Sequence, residues 1–155
     1  MLRTRLLVGL ASACALVPGA SAADPSSPAV EQRRQSPAEA TAQTEYNRGV
    51  RARVAQDWAT ATTAFKRATE LRSDFPEAWN ELGFALRKQG RYADSLDAYD
   101  RALALRPDFP EALEYLGEAY VKMGRLDDAR RVLDRLRPLD RSRAAELAEE
   151  IANAK

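Results

Sequence analysis

A period of 34 residues is the feature that most restricts how this chain of 155 residues can fold. When residues 74–107 are aligned with residues 108–141, 15 of the 34 positions are identical, including Gly83 with Gly117. Residues 40–73 match the middle segment at eight positions. Repeats of this length form solenoids, in which each unit packs against its neighbours. We therefore expect an array of three units with these approximate bounds.

Apolar residues within a unit follow the period of an α-helix. After Pro76 they recur at intervals of three and four and so lie on one helix face: Ala78, Trp79, Leu82, Ala85 and Leu86. Pro76 suits the first position of a helix, and Gly90 suits the position after its last turn. A second stripe follows at Leu96, Tyr99 and Leu103. Each unit is therefore predicted to be a helix-turn-helix pair, and the fold to be all-α.

The middle unit has the signature residues of one repeat family at that family's spacing: Trp79, Leu82, Gly83, Leu86, Gly90, Tyr92, Ser95, Tyr99, Ala102 and Pro107. The third unit matches at Leu113, Leu116, Gly117, Tyr120, Gly124, Leu126, Ala129 and Leu133. The chain resembles the tetratricopeptide repeat (TPR) family, which implies a right-handed α-solenoid. The first unit departs from the motif at Arg48, Ala52 and Gln56, and the third breaks at Pro138. Terminal repeats are commonly atypical.

Residues 142–155 are predicted to form a capping helix. Four apolar residues make a narrow stripe: Ala144, Leu147, Ala148 and Ile151. Mostly acidic side chains lie opposite, whereas a membrane-binding helix favours basic ones. Such a polar-backed helix ends a solenoid without leaving an open hydrophobic face.

The first 22 residues have the layout of a secretory signal peptide. Arg3 and Arg5 precede an apolar run from Leu6 to Val17, and small residues end the segment at Ala22. Twelve apolar residues are too few to span a bilayer of about 30 Å. Cleavage after Ala22 would give a periplasmic or secreted protein without a membrane span.

A lipoprotein is the alternative form of export, because residues 11–14 resemble a lipobox that ends at Cys14. The position three before the cysteine is Ala11 rather than leucine, and the apolar run continues beyond Cys14 to Val17. Both features favour cleavage after Ala22 over lipid anchoring. Residues 23–38, rich in Pro and Ser, are predicted to be a disordered linker.

Composition argues against catalysis. The chain has no histidine and one cysteine, which removes Ser/His/Asp triads, Cys/His pairs and the usual zinc ligand sets. We therefore expect no enzyme, no cofactor and no metal. A formal net charge of +1, with acids and bases interspersed, does not favour nucleic acid as a partner.

The resemblance implies a protein-binding groove lined by the first helix of each unit. The groove residues that it implies come from all three units: Gln43, Tyr46, Asn47, Val50, Arg53, Glu77, Asn80, Glu81, Phe84, Arg87, Lys88, Glu111, Glu114, Tyr115, Glu118 and Lys122. The carboxylate clamp with which some family members hold acidic chaperone tails needs Lys, Arg and Asn at set positions. Those positions here are occupied by Tyr46, Val50, Glu81, Glu111 and Tyr115. The clamp is therefore absent.

Four glutamates gather near the junction of the second and third units: Glu81, Glu111, Glu114 and Glu118. With Phe84 and Tyr115 among them, they suggest a partner segment that carries Lys or Arg beside an apolar anchor. The alternative is a solvated acidic face balanced by Arg87 and Lys88.

Two functions are consistent with these features. The first is an exported adaptor that binds a peptide segment or helix of a partner protein in its groove. The second is a structural subunit of an envelope assembly, such as a secretion, pilus or cytochrome-maturation complex. Nothing in the sequence names the partner.

Overall fold

The computed structural model describes residues 37–154, without the side chains of residues 38–40. Within these bounds the chain forms seven helices and no strand: α1 (Pro37–Val54), α2 (Trp58–Leu71), α3 (Pro76–Lys88), α4 (Tyr92–Leu105), α5 (Pro110–Lys122), α6 (Leu126–Leu136) and α7 (Arg141–Asn153). The predicted signal peptide, Cys14 and most of the predicted linker lie outside the described residues. Helix α1 includes the last two residues of the range predicted as linker, 37 and 38.

The helices pack as three consecutive pairs, α1 with α2, α3 with α4, and α5 with α6. Each pair also contacts the next through α2 with α3 and α4 with α5, while α7 packs on both α5 and α6. Contacts between neighbouring units are those expected of a solenoid. The prediction of an all-α array of helix pairs with a capping helix is confirmed.

Local sequence signals set the helix ends. Pro76 and Pro110 occupy the first turns of α3 and α5. The carboxylate of Asp57 accepts the backbone N–H of Thr60 at 3.0 Å and so caps α2. Gly90 follows α3 with a φ of 75°, a left-handed conformation that suits glycine.

Gln56 occupies the turn after α1 that corresponds to Gly90. Its φ is 58°, which makes it the one non-glycine residue with positive φ among those described. This conformation costs a residue with a side chain about 1 kcal/mol. The departure from the repeat motif at this position is therefore accommodated by backbone strain in the turn.

Glycines in the first helices allow close packing within the first two units. A Cβ atom added at Gly83 would lie 2.6 Å from the ring of Tyr99, and one added at Gly49 would lie 2.6 Å from the ring of Phe65. Glycine within a helix is less favourable than alanine by about 1 kcal/mol. Its recurrence here is explained by the space that the facing aromatic ring requires.

In the third unit, the space over the glycine of the first helix is filled differently. Leu133 occupies the position of the aromatic ring in this unit, and the atoms nearest to an added Cβ at Gly117 belong to Leu147 of α7. Leu147 is 1% exposed, and Ala144 and Ile151 of the same helix are also buried. Helix α7 therefore completes the core of the third unit.

Candidate functional site

Side chains from α1, α3, α5 and α7 meet along one side of the array. We call this side the groove surface. It is defined by the residues that connect adjacent helices across it: Arg53, Glu81, Phe84, Arg87, Glu111, Glu114, Tyr115, Glu118 and Arg143. Since these residues lie on ordered helices, the surface is largely formed before any partner binds.

Interhelix ion pairs run across the groove surface. Arg53 Nε of α1 lies 3.1 Å from Glu81 Oε2 of α3. Arg87 Nη1 of α3 lies 2.5 Å from Glu118 Oε2 of α5, and both side chains are mostly buried. In both pairs an arginine on the first helix of one unit neutralises a glutamate on the first helix of the next unit.

Arg143 closes the last of these junctions from the capping helix. Its guanidinium donates hydrogen bonds to Glu114 Oε2 and, at 3.2 Å, to Glu111 Oε1 of α5. Glu114 is 6% exposed and therefore depends on this partner to offset its loss of hydration. All four glutamates of the predicted acidic patch are consequently paired with arginine.

An aromatic pair lies between these ion pairs. The rings of Phe84 and Tyr115 are tilted with centroids 5.0 Å apart, and both side chains are half-buried. Arg87 lies over both rings, at 5.3 Å from Phe84 and 5.4 Å from Tyr115. Lys88 Nζ lies 5.2 Å from the Phe84 centroid. The centre of the groove surface is therefore an aromatic platform bordered by cations and by neutralised carboxylates.

The remaining predicted groove residues are arranged less uniformly. Asn47 is exposed and accepts a hydrogen bond from Gln43 Nε2 at 3.1 Å. Val50 and Tyr46 are half-buried against the core, and the Tyr46 ring lies 5.0 Å from that of Phe75. Asn80 is 4% exposed, so it is part of the packed interior rather than of the accessible surface.

Family models for the tetratricopeptide repeat match residues 46–108 and residues 86–151, which together cover more than half of the chain. The chain belongs to the tetratricopeptide repeat family. No curated protein matches its sequence.

Solved TPR structures share this fold. The Arabidopsis OM64 TPR domain is 13% identical, with a TM-score of 0.71 over 74% of this chain and 97% of that chain. The TPR2B domain of yeast Sti1, solved as a complex with pHsp70, is 16% identical, with a TM-score of 0.71 over 74% and 98%. The Yersinia enterocolitica type III secretion chaperone SycD, solved with a peptide of the translocator YopD, is 16% identical, with a TM-score of 0.66 over 71% and 91%.

TPR domains are typically non-catalytic interaction modules. Among residues 37–154, no group of three carboxylates is placed to hold a metal ion. None of the helices in this range is long and apolar enough to cross a membrane. Membership of this family supports a protein–protein interaction module.

The resemblance placed two of the three arginines that organise the site, Arg53 and Arg87, in the groove. They lie near the C-terminal ends of α1 and α3, and their position in the repeat is the same. The third, Arg143, was not predicted. Arg143 lies outside the repeats and is 29 residues from Glu114, so no local pattern pointed to their contact.

The aromatic residues Trp58, Trp79 and Tyr99 are buried to different extents. Tyr99 is 0% exposed, and Trp79 packs against the core from a half-buried position. Trp58 is also half-buried, and its ring contacts Phe84 edge-on at 5.9 Å. Trp58 therefore borders the aromatic platform of the groove surface.

Burial is the largest influence on the pKa values of three groove carboxylates, those of Glu81, Glu114 and Glu118. Burial raises the pKa of Glu81, and the positive charge of Arg53 opposes that rise. Burial also raises the pKa of Glu118 against the charge of Arg87, and that of Glu114 against its hydrogen bond with Arg143. The folded chain therefore binds protons more tightly than the unfolded chain at these sites.

We expect the free energy of unfolding to rise as the pH is lowered from 7 to about 5. A carboxyl group with a raised folded pKa stabilises the fold fully below its unfolded value, near 4.3, and loses that contribution as pH rises through the folded value. The chain has no histidine to add a transition in this window. Asp57 and Asp128, whose pKa values are lowered by hydrogen bonds with Thr60 and Arg125, stay ionised at pH 5.

Urea unfolding monitored by circular dichroism at pH 7, 6 and 5 measures this dependence. The Glu118→Gln variant should show a flatter profile than the wild type, whereas Glu149→Gln, at an exposed position of α7, should keep the wild-type profile. A decrease in stability on acidification would show that the ion pairs outweigh burial.

Proposed function

We propose that this protein is an exported adaptor that binds a segment of a partner protein on its groove surface. The observation that carries the proposal is the half-buried Phe84–Tyr115 pair, held between interhelix ion pairs on ordered helices. Aromatic residues supply much of the binding energy at protein interfaces. The pair offers a partner an apolar contact on a rigid support.

The partner segment carries an apolar side chain next to lysine or arginine. The apolar side chain packs on Phe84 and Tyr115. The basic side chain shares a carboxylate, that of Glu81 or Glu118, with the arginine already paired to it. Because these carboxylates are compensated within the fold, the charge contributes more to selectivity than to affinity.

Structural neighbours support the capture of a segment rather than of a folded surface. Yeast Sti1 TPR2B was solved as a complex with pHsp70, and SycD was solved with a peptide of the translocator YopD. Their low sequence identity transfers no partner to this chain. Positions at which clamp-type members carry Lys, Arg and Asn hold other residues here, so a different peptide chemistry is proposed.

Site-specific photo-crosslinking tests the groove. A photoreactive amino acid at position 84, in cells that express the full chain, should give a discrete crosslinked band. The same group at position 101, exposed on α4, is the matched control and should not give that band. Identical crosslinks from both positions, or none from position 84, would contradict a groove-bound partner.

Export is proposed from the first 22 residues. Cell fractionation should place the chain in the periplasm or the medium, and N-terminal sequencing should begin at Ala23. A cytosolic chain that retains Met1 would argue against this part of the proposal without affecting the groove experiment.

Native size separates an adaptor from an envelope assembly subunit. On gel filtration of a native extract, a free adaptor elutes as a small protein. A subunit of a secretion, pilus or cytochrome-maturation complex elutes with large partners instead.

A further inference from the structure

A second depression lies between α2 and α3, with a volume of about 350 Å³ and mainly apolar walls. Its lining residues are Thr62, Lys66, Thr69 and Glu70 from α2, Trp79, Leu82 and Leu86 from α3, and Arg91 from the turn after α3. Successive helical residues are about 100° apart, so Trp79, Leu82 and Leu86 lie on the side of α3 opposite to Glu81 and Phe84. The depression is therefore separate from the groove surface. We call it the α2–α3 pocket.

The next junction of the array shows how such a space can be filled. Three pocket residues have larger apolar counterparts 34 positions later: Leu96 for Thr62, Leu103 for Thr69 and Tyr120 for Leu86. All three counterparts belong to the hydrophobic core or pack against it. The smaller residues of the first junction leave this space open.

Basic side chains surround the α2–α3 pocket. Lys66 and Arg91 form part of its wall, and an adjoining depression of about 570 Å³ adds Arg48 and Arg67. Among the described side chains, Lys66 forms no ion pair. At the next junction Arg67 and Arg91 correspond to Arg101 and Arg125, but Lys66 corresponds to Asp100 and Arg48 to Leu82, so the first junction carries the more positive rim.

The arginines of this rim can be recruited by a ligand. Each is paired with a carboxylate three residues away on a solvent-exposed face: Arg48 with Glu45 at 2.7 Å, Arg67 with Glu70 at 3.1 Å and Arg91 with Asp94 at 2.5 Å. Exposed pairs of this kind contribute about 0.3–0.5 kcal/mol. A partner carboxylate can therefore replace the local one at little cost.

We propose that the α2–α3 pocket binds a short acidic segment of a partner protein. One large apolar side chain of the segment enters the pocket beside Trp79, and carboxylates on either side of it contact Lys66 and Arg91. The two depressions share Thr62, Lys66, Glu70 and Arg91, so the surface is elongated. This shape suits an extended segment better than a single small molecule.

Trp79 provides a direct readout, because the chain has only two tryptophans. The full chain with Trp58→Phe retains Trp79 as the one fluorophore of this type. The probe is the peptide acetyl-EELFEE-amide, compared with its lysine counterpart acetyl-KKLFKK-amide. The acidic peptide should change Trp79 emission in a saturable way, and the lysine peptide should not.

Substitutions taken from the next junction test the location. Thr62→Leu introduces the residue found at position 96 of the next junction. It fills the pocket and should weaken binding of the acidic peptide about tenfold or more. Lys66→Asp introduces the residue found at position 100 of the next junction. It should weaken binding of the acidic peptide because it replaces a positive charge by a negative one and leaves the pocket volume open. Phe84→Ala on the groove surface should leave the affinity unchanged. Circular dichroism confirms that each variant is folded.

Several outcomes would overturn the proposal. The first is no saturable change in Trp79 emission at millimolar peptide. The second is undiminished binding by folded Thr62→Leu together with undiminished binding by folded Lys66→Asp. Loss of binding in Phe84→Ala alone would assign the peptide to the groove surface. Equal affinity for 4-phenylbutyrate and for the peptide would indicate that the pocket binds a small amphiphilic molecule rather than a segment of a protein.

Discussion

Replacing Tyr99 by alanine is expected to lower the free energy of unfolding by about 3–5 kcal/mol, the usual loss for a large buried aromatic side chain. Tyr99 is 0% exposed, and its ring fills the space left by Gly83 on the facing helix. It also contacts the groove residue Tyr115, with ring centroids 6.3 Å apart. Since small domains are stable by only about 5–15 kcal/mol, the variant should be largely unfolded under mild denaturing conditions.

The Tyr99→Phe variant is the control for this loss. It retains the ring and removes a buried hydroxyl that interacts with Arg87. Loss of one such contact should change stability by about 0.5–1.5 kcal/mol, well below the loss expected for the ring. Urea unfolding followed by circular dichroism compares the two variants. If Tyr99→Phe were as destabilising as Tyr99→Ala, the hydroxyl rather than the ring would be the stabilising part.

The Leu147→Ala variant is expected to lose about 2–5 kcal/mol of stability, because it removes a buried side chain of α7. Leu147 packs over Gly117 and is 1% exposed. The loss should appear in the unfolding of the whole array, because α7 contacts both helices of the third unit. Urea unfolding followed both by helicity and by tryptophan emission distinguishes this from local fraying, since both tryptophans lie in the first two units.

The Leu139→Ala variant tests whether the loss of stability in Leu147→Ala is due to the burial of the leucine side chain. Leu139 precedes α7 and is 39% exposed, so the same substitution there should cost less than about 0.5 kcal/mol. A separate early transition in Leu147→Ala, with the main transition unchanged, would show that α7 is an independent appendage.

Much of the fold was predictable because each unit repeats the same local signals. The spacing of Trp79, Leu82 and Leu86 gave the buried face of α3, and Pro76 and Gly90 gave its ends. The match of 15 of 34 positions between the second and third units, with the weaker match of the first, predicted the number of helix pairs. Periodicity of three and four residues reports a helix reliably when it extends over several turns.

The groove was harder to predict because its chemistry depends on contacts between distant residues. The resemblance placed Glu81, Phe84, Tyr115 and Glu118 in the groove, and these four do meet on the groove surface. It gave no sign that Arg143 neutralises Glu111 and Glu114 from outside the repeats. A pattern of carboxylates along a chain shows where acids are, but only the fold shows which acids retain an uncompensated charge.

The burial of Asn80 could not be predicted from the pattern of its own helix, for a related reason. A polar residue on the edge of an apolar helix stripe is expected to face solvent. The neighbouring helices cover Asn80 in the assembled array, which leaves its side-chain oxygen buried without a hydrogen-bond partner among residues 37–154. Its exposure is set by the stacking of units and not by its own helix.

The third unit has Leu133 where the first two units have an aromatic ring. This difference indicates which unit can be repeated without disturbing the cap. Units one and two fill the space over their glycines with their own Phe65 and Tyr99, but unit three leaves that space to Leu147 of α7. Duplication of residues 74–107 would therefore lengthen the array and preserve both ends, because the added unit fills the space over its own glycine with its own tyrosine.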